Sequence, residues 1–124
     1  MTIRTRLLNL LLLACLSPLA AQAADVTGAW TSTFTTPVGE QHYAYTFKQA
    51  GTALTGRAKS DYGDVAIESG KVEGDKVSFV ERLTVQGMEF AITYTGTIVP
   101  AGEITFTRSI PGFGQESLVA KRSP

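Results

Sequence analysis

A chain of 124 residues with eleven basic and eleven acidic side chains, one His and one Cys has room for one compact domain and no second. Formal neutrality at pH 7, with no block of Lys or Arg beyond Arg6, removes the electrostatic basis for holding a phosphate backbone or an anionic lipid surface. Nucleic acid is therefore not an expected partner.

The first 23 residues carry the three parts of a secretory signal: Arg4 and Arg6, an apolar run from Leu7 to Leu19, and a small-x-small site at Ala21-Gln22-Ala23. Cleavage is expected after Ala23, which assigns 1–23 to a signal peptide and 24–124 to the folded domain, and places the protein in the periplasm or outside the cell. The run is too short to cross roughly 30 Å of hydrocarbon as a helix, so no membrane span is expected. A second reading takes Leu12-Leu13-Ala14-Cys15 as a lipoprotein box that leaves Cys15 lipidated; Leu13 and the downstream Ala23 site count against it. Without its leader the chain keeps nine basic and eleven acidic residues and no thiol. Disulfides, thiol catalysis and Cys-based zinc sites are thereby excluded from the exported domain.

After Ala24 no stretch holds a helical period for three turns. Instead, runs rich in Thr, Val, Ile, Phe and Tyr recur between short glycine-containing turns, and they predict eight strands, at about 26–35, 40–49, 52–60, 64–72, 76–85, 88–99, 102–109 and 116–122. Most of the connections have hairpin length, which joins antiparallel neighbours in sequence order. Gly70-Lys71-Val72 followed by Val77 to Arg82 is echoed by Gly96-Thr97-Ile98 followed by Ile104 to Arg108, as two copies of one hairpin. Hairpins without a helix to cover the sheet edges are best satisfied by closure, so the expected fold is an all-β, eight-stranded antiparallel up-and-down barrel. A flattened two-sheet sandwich is the alternative.

Alternation within each strand assigns the faces. Trp30, Phe34, Tyr43, Tyr45, Phe47, Val77, Phe79, Leu83, Val85, Met88, Phe90, Ile92, Tyr94, Ile104 and Phe106 share the inward phase. Thr31, Thr33, His42, Lys48, Ser78, Arg82, Thr84, Glu89, Thr93, Thr95, Thr105 and Lys121 share the outward one. An outer-membrane barrel requires the opposite arrangement, with the apolar residues outside.

Gly28-Ala29-Trp30 on the first strand resembles the Gly-x-Trp signature of the calycins, the superfamily of lipocalins, fatty-acid-binding proteins and avidins. Lipocalin-type barrels also set a basic residue of the last strand over that Trp. Arg122, in phase with Leu118 and Ala120, is similar in type and position, so the resemblance implies barrel closure by a cation-π contact between Trp30 and Arg122. Across 24–124, phrases such as Phe47-Lys48-Gln49, Leu54-Thr55-Gly56 and Ala120-Lys121-Arg122 resemble short secreted bacterial β-barrel domains. This implies a calycin-like fold more than a function. The lipocalin disulfide has no counterpart, nor does any set of biotin-contacting residues.

Glu81 and Arg108 each interrupt an apolar inward phase. Counting from the turns puts Glu81 opposite Ile92 and Arg108 opposite Tyr94, on either side of one strand and within reach of each other across the interior. One reading makes Arg108, Glu81, Tyr94, Tyr43 and Tyr45 the polar groups of an aromatic cavity walled by Phe79, Phe90, Phe106 and Phe113, holding a small apolar or aromatic ligand whose anionic group faces Arg108. A second has the two charges neutralise each other in a filled barrel, a structural module that meets a protein partner through its surface or its 110–115 loop, where Phe113 stands between two glycines. A third is a cofactor-free enzyme with Glu81 as acid or base and Arg108 with Tyr94 stabilising negative charge. No cofactor is expected. No metal site is expected either, since His42 points outward without a second His or Cys. Asp61-Tyr62-Gly63-Asp64 reads as turn chemistry.

Overall fold

A computed structural model describes residues 24–124; the expected signal segment and Cys15 lie outside the described residues. The eight strands are β1 (Gly28–Thr36), β2 (Gly39–Ala50), β3 (Ala53–Ser60), β4 (Gly63–Glu73), β5 (Lys76–Val85), β6 (Met88–Ile98), β7 (Ile104–Ile110) and β8 (Gly114–Arg122). Each pairs antiparallel with its neighbours in sequence, and β8 returns to β1 through Trp30↔Arg122 and Thr31↔Lys121, closing the barrel. Closure gives every strand a neighbour on each side, which is what hairpins lacking a covering helix require, although the β1–β8 seam is only two rungs long and is extended by the Ser32 hydroxyl donating to the Val119 carbonyl at 2.8 Å. The sandwich alternative is thereby set aside.

The period-two pattern explains the faces. Along β2, Tyr43, Tyr45 and Phe47 are buried while the residues between them are exposed. Of the twelve residues assigned to the outer face, all are exposed except the half-buried Ser78. Met88 departs from its expected inward position and is 62% exposed. It is the first residue of β6, paired with Val85 at the last rung before the turn, and there the barrel wall has no opposite side to pack it against.

Inside, the rings of Phe34, Tyr43, Tyr45 and Phe47 form a stacked column with centroids 5.4–5.7 Å apart. Across from it Phe79 stacks on Tyr94 at 4.4 Å, and both meet Phe106 edge-on. Such pairs add about 0.5–1.5 kcal/mol each beyond the area they bury. This part of the barrel is filled with side chains.

The two ends differ. At one, Val26 and Trp30 are buried, and the indole Nε1 donates to the Val26 carbonyl at 2.9 Å. The Arg122 guanidinium lies 4.5 Å from the Trp30 ring centroid and donates to the Asp25 and Thr27 carbonyls at 2.8 and 3.0 Å. Arg122 thus pins the segment before β1 across the barrel end. Arg122→Lys keeps the charge but loses the two-carbonyl fork, and is expected to lower stability by about 1 kcal/mol in chemical denaturation.

At the other end the β1–β2, β3–β4, β5–β6 and β7–β8 turns form an open mouth. The last of these is shorter than expected: β7 runs to Ile110 and β8 begins at Gly114, so only Pro111, Gly112 and Phe113 intervene. Gly112 and Gly114 take φ of +83° and +95°, a left-handed geometry that lets the chain reverse in so few residues.

Candidate functional site

Between the filled interior and the mouth sits a connected polar cluster drawn from five strands. Arg108 on β7 faces Tyr94 on β6 and Glu116 on β8 in direct register, and Glu81 on β5 faces Ile92. Arg108 and Glu81 are 4% and 0% exposed. Arg108 donates from Nε to the Tyr94 hydroxyl at 3.1 Å, from Nη2 to the Tyr43 hydroxyl at 3.0 Å and from Nη1 to Glu116 Oε1 at 2.7 Å. Its Nη2 also lies 3.5 Å from Glu81 Oε1.

The tyrosines carry the network onward. Tyr43 and Tyr94 donate to the two Glu81 oxygens at 2.9 and 3.0 Å, and Tyr45 donates to the Tyr94 oxygen at 3.1 Å. No buried side-chain polar atom among the described residues is left without a partner. The guanidinium also lies 5.2–5.5 Å from the ring centroids of Phe34, Tyr43 and Tyr94, so rings surround a charge that hydrogen bonds already hold.

Burial pushes the Glu81 carboxyl above its ordinary range, and neither Arg108 nor the two tyrosine hydroxyls fully offsets it. Burial likewise raises Tyr43, Tyr45 and Tyr94, so these hydroxyls stay protonated. One guanidinium therefore answers two carboxylates, Glu81 beneath it and Glu116 beside it.

Above this cluster the barrel opens into a cup of about 480 Å³. Leu83, Ile92, Arg108 and Gln41, none more than 6% exposed, form its deep part together with Glu116. Val38, Tyr62, Met88 and Phe113, between 41% and 79% exposed, stand at its rim, one on or beside each of the four mouth turns. Phe113 leans edge-on against Phe90 at 5.5 Å. Two other depressions run along the outer wall beside Thr95 and Thr105 and beside Thr31 and Thr33, and neither brings a buried charged group to its surface.

Of the side chains expected to meet a ligand, Arg108, Phe90 and Phe113 line the cup. Phe79 and Phe106 belong to the filled interior, Glu81, Tyr43 and Tyr94 lie in the network that holds Arg108, and Tyr45 joins the two through the Tyr94 hydroxyl. Gln41, Leu83 and Glu116 line the cup without having been singled out from sequence. Glu116 was within reach of such reasoning: a three-residue turn after Ile110 puts it opposite Arg108. His42 is a surface residue, with Nε2 3.0 Å from Glu40 and Nδ1 3.3 Å from the Thr33 hydroxyl. Among the described residues no three His, Cys, Asp or Glu side chains converge, and in the Asp61–Asp64 turn Asp64 pairs with Arg57 at 2.7 Å.

The fold and site define an all-β barrel of eight antiparallel strands with a filled lower interior and an aromatic-rimmed cup above a buried Arg-Glu-Tyr network. Comparison of the chain with protein-family models, with curated proteins and with solved structures found no match to any of them.

Proposed function

We propose that this is a calycin-like domain, exported to the periplasm or beyond by a leader cleaved after Ala23, that binds a small apolar or aromatic molecule in its mouth cup. The cup itself carries this reading: a concave wall of Leu83, Val85, Phe90, Ile92 and Ile110 interrupted by a few convergent polar groups is the usual make-up of a small-molecule site. The stack of Arg122 on Trp30 supports the calycin-like assignment. The anionic group that Arg108 alone would favour does not carry over, because Glu81 and Glu116 already neutralise that guanidinium. Glu81 reaches the cup only through Arg108, which leaves it a positioning role rather than an acid or base.

Val85, half-buried on the cup wall, gives the test. Val85→Trp fills the cup from its side and is expected to weaken binding of the neutral dye N-phenylnaphthylamine by about tenfold or more, while the thermal melt stays close to that of the parent. Undiminished dye binding in a folded Val85→Trp protein counts against the cup. Phe113, 73% exposed, favours a second reading in which the mouth loops contact a protein. Val85→Trp separates the two, since it leaves Phe113 in place.

A further inference from the structure

We propose that the cup selects ligands whose polar end is a protonated amine; this rests on the cup being the binding site and narrows what it takes. The charged residues of its wall are Arg108 and Glu116. Arg108 already donates from all three of its nitrogens, to Tyr94, Glu116 and Tyr43, and has Glu81 3.5 Å away. With both carboxylates ionised the trio carries one net negative charge, and with Glu81 protonated it is neutral. In neither state does it present an unanswered positive charge, so a ligand carboxylate brought beside Glu116 meets repulsion in a partly water-excluded site.

Besides the remaining N–H groups of Arg108 and Gln41, two acceptors on the wall are still open to a ligand, and one of them is charged. Glu116 uses Oε1 for Arg108, and its Oε2 has no partner among the described residues, with the side chain 15% exposed. Gln41, 6% exposed and facing the cup, reaches the Gly39 carbonyl through Nε2 at a long 3.5 Å, and its Oε1 has no partner among the described residues. A carboxylate oxygen and an amide oxygen over the same cavity suit a group that donates several hydrogen bonds and accepts none, which is what an ammonium is. The Phe90 and Phe113 rings above them are a further attraction for an organic cation and none for an anion.

The test is calorimetric titration of the protein at neutral pH with three probes that share one body: phenylbutylamine, phenylbutanol and phenylbutanoate. The expected order of affinity is amine, alcohol, acid, with the amine ahead of the acid by about tenfold or more. In Glu116→Gln the amine's advantage should shrink severalfold with alcohol binding retained, and Gln41→Leu should shrink it less. Acid binding equal to or tighter than amine binding overturns the inference and leaves the cup as a binding site. So does an amine preference that survives both substitutions, since it would then come from the surface. Failure of all three probes to bind counts against the cup reading itself.

Discussion

Arg108→Met is expected to destabilise the protein by about 3–5 kcal/mol, the usual cost of removing one partner of a buried ion pair. Met preserves most of the aliphatic stem and removes the guanidinium that lies over Phe34 and Tyr43, so the loss is mainly one of charge, hydrogen bonds and cation-π contact. Glu81 would be left fully buried, with two tyrosine donors and no cation. Adding Glu81→Gln removes the orphaned charge, with the amide oxygen left to accept from one of Tyr43 and Tyr94 and the amide nitrogen to donate to the oxygen of the other. The double variant is therefore expected to recover about 2 kcal/mol or more, measured as the coupling in a double-mutant cycle by urea denaturation.

The pH dependence has a definite sign. Glu81 has a raised pKa in the folded protein, so its favourable contribution is fully present below its ordinary value of 4.5 and is lost as pH rises through the folded value. Arg108 opposes that rise, so Arg108→Met should widen the window and lose most stability on the alkaline side. The double variant should not show this slope. A single variant as stable as the parent at every pH would show that the pair does not hold the cluster together.

Gly56→Ala should be damaging for a reason confined to the backbone. Gly56 has φ of +150° and opposes Phe47, and an added Cβ would stand 1.8 Å from the Thr46 carbonyl oxygen. Gly56 lies within the stretch where the β3–β4 register shifts, between Leu54 and Arg57, so this is a point where the barrel wall bends. Strain and overlap together are expected to cost about 3 kcal/mol or more. Gly63 is the control, since its φ is +144° but a Cβ there meets nothing within 4 Å. Gly63→Ala should cost only the strain, about 1–2 kcal/mol. Equal melting temperatures for the two variants would refute the argument from close approach.

The sequence was most informative where physics leaves one answer. Two charges breaking an apolar alternation identified Glu81 and Arg108 as interior residues, and counting rungs from the turns placed them opposite Ile92 and Tyr94, as found. Alternation says which way a side chain points, not whether the space it points into is full. Tyr45, Tyr94, Phe79 and Phe106 read equally well as cavity wall or packing, and only the ring-to-ring geometry decides for packing. Glu116 was missed because the glycines around Phe113 read as a long loop, which left β8 without a register. The shifts near Gly56 and Gly70 were also illegible, since period-two alternation carries on across a bulge without marking it. Rim residues such as Val38 and Met88 depend on where the wall ends, a property of the closed barrel rather than of any one strand.

The most direct measurement is methyl NMR of the protein titrated with phenylbutanol. A ligand seated in the mouth cup should shift the methyls of Val85, Met88, Ile92 and Ile110, and leave those of Val77, Ile104 and Leu118, which pack the filled interior, in place. Shifts centred on Val77 and Ile104, or on the outward-facing Val119, would contradict a cup-bound ligand.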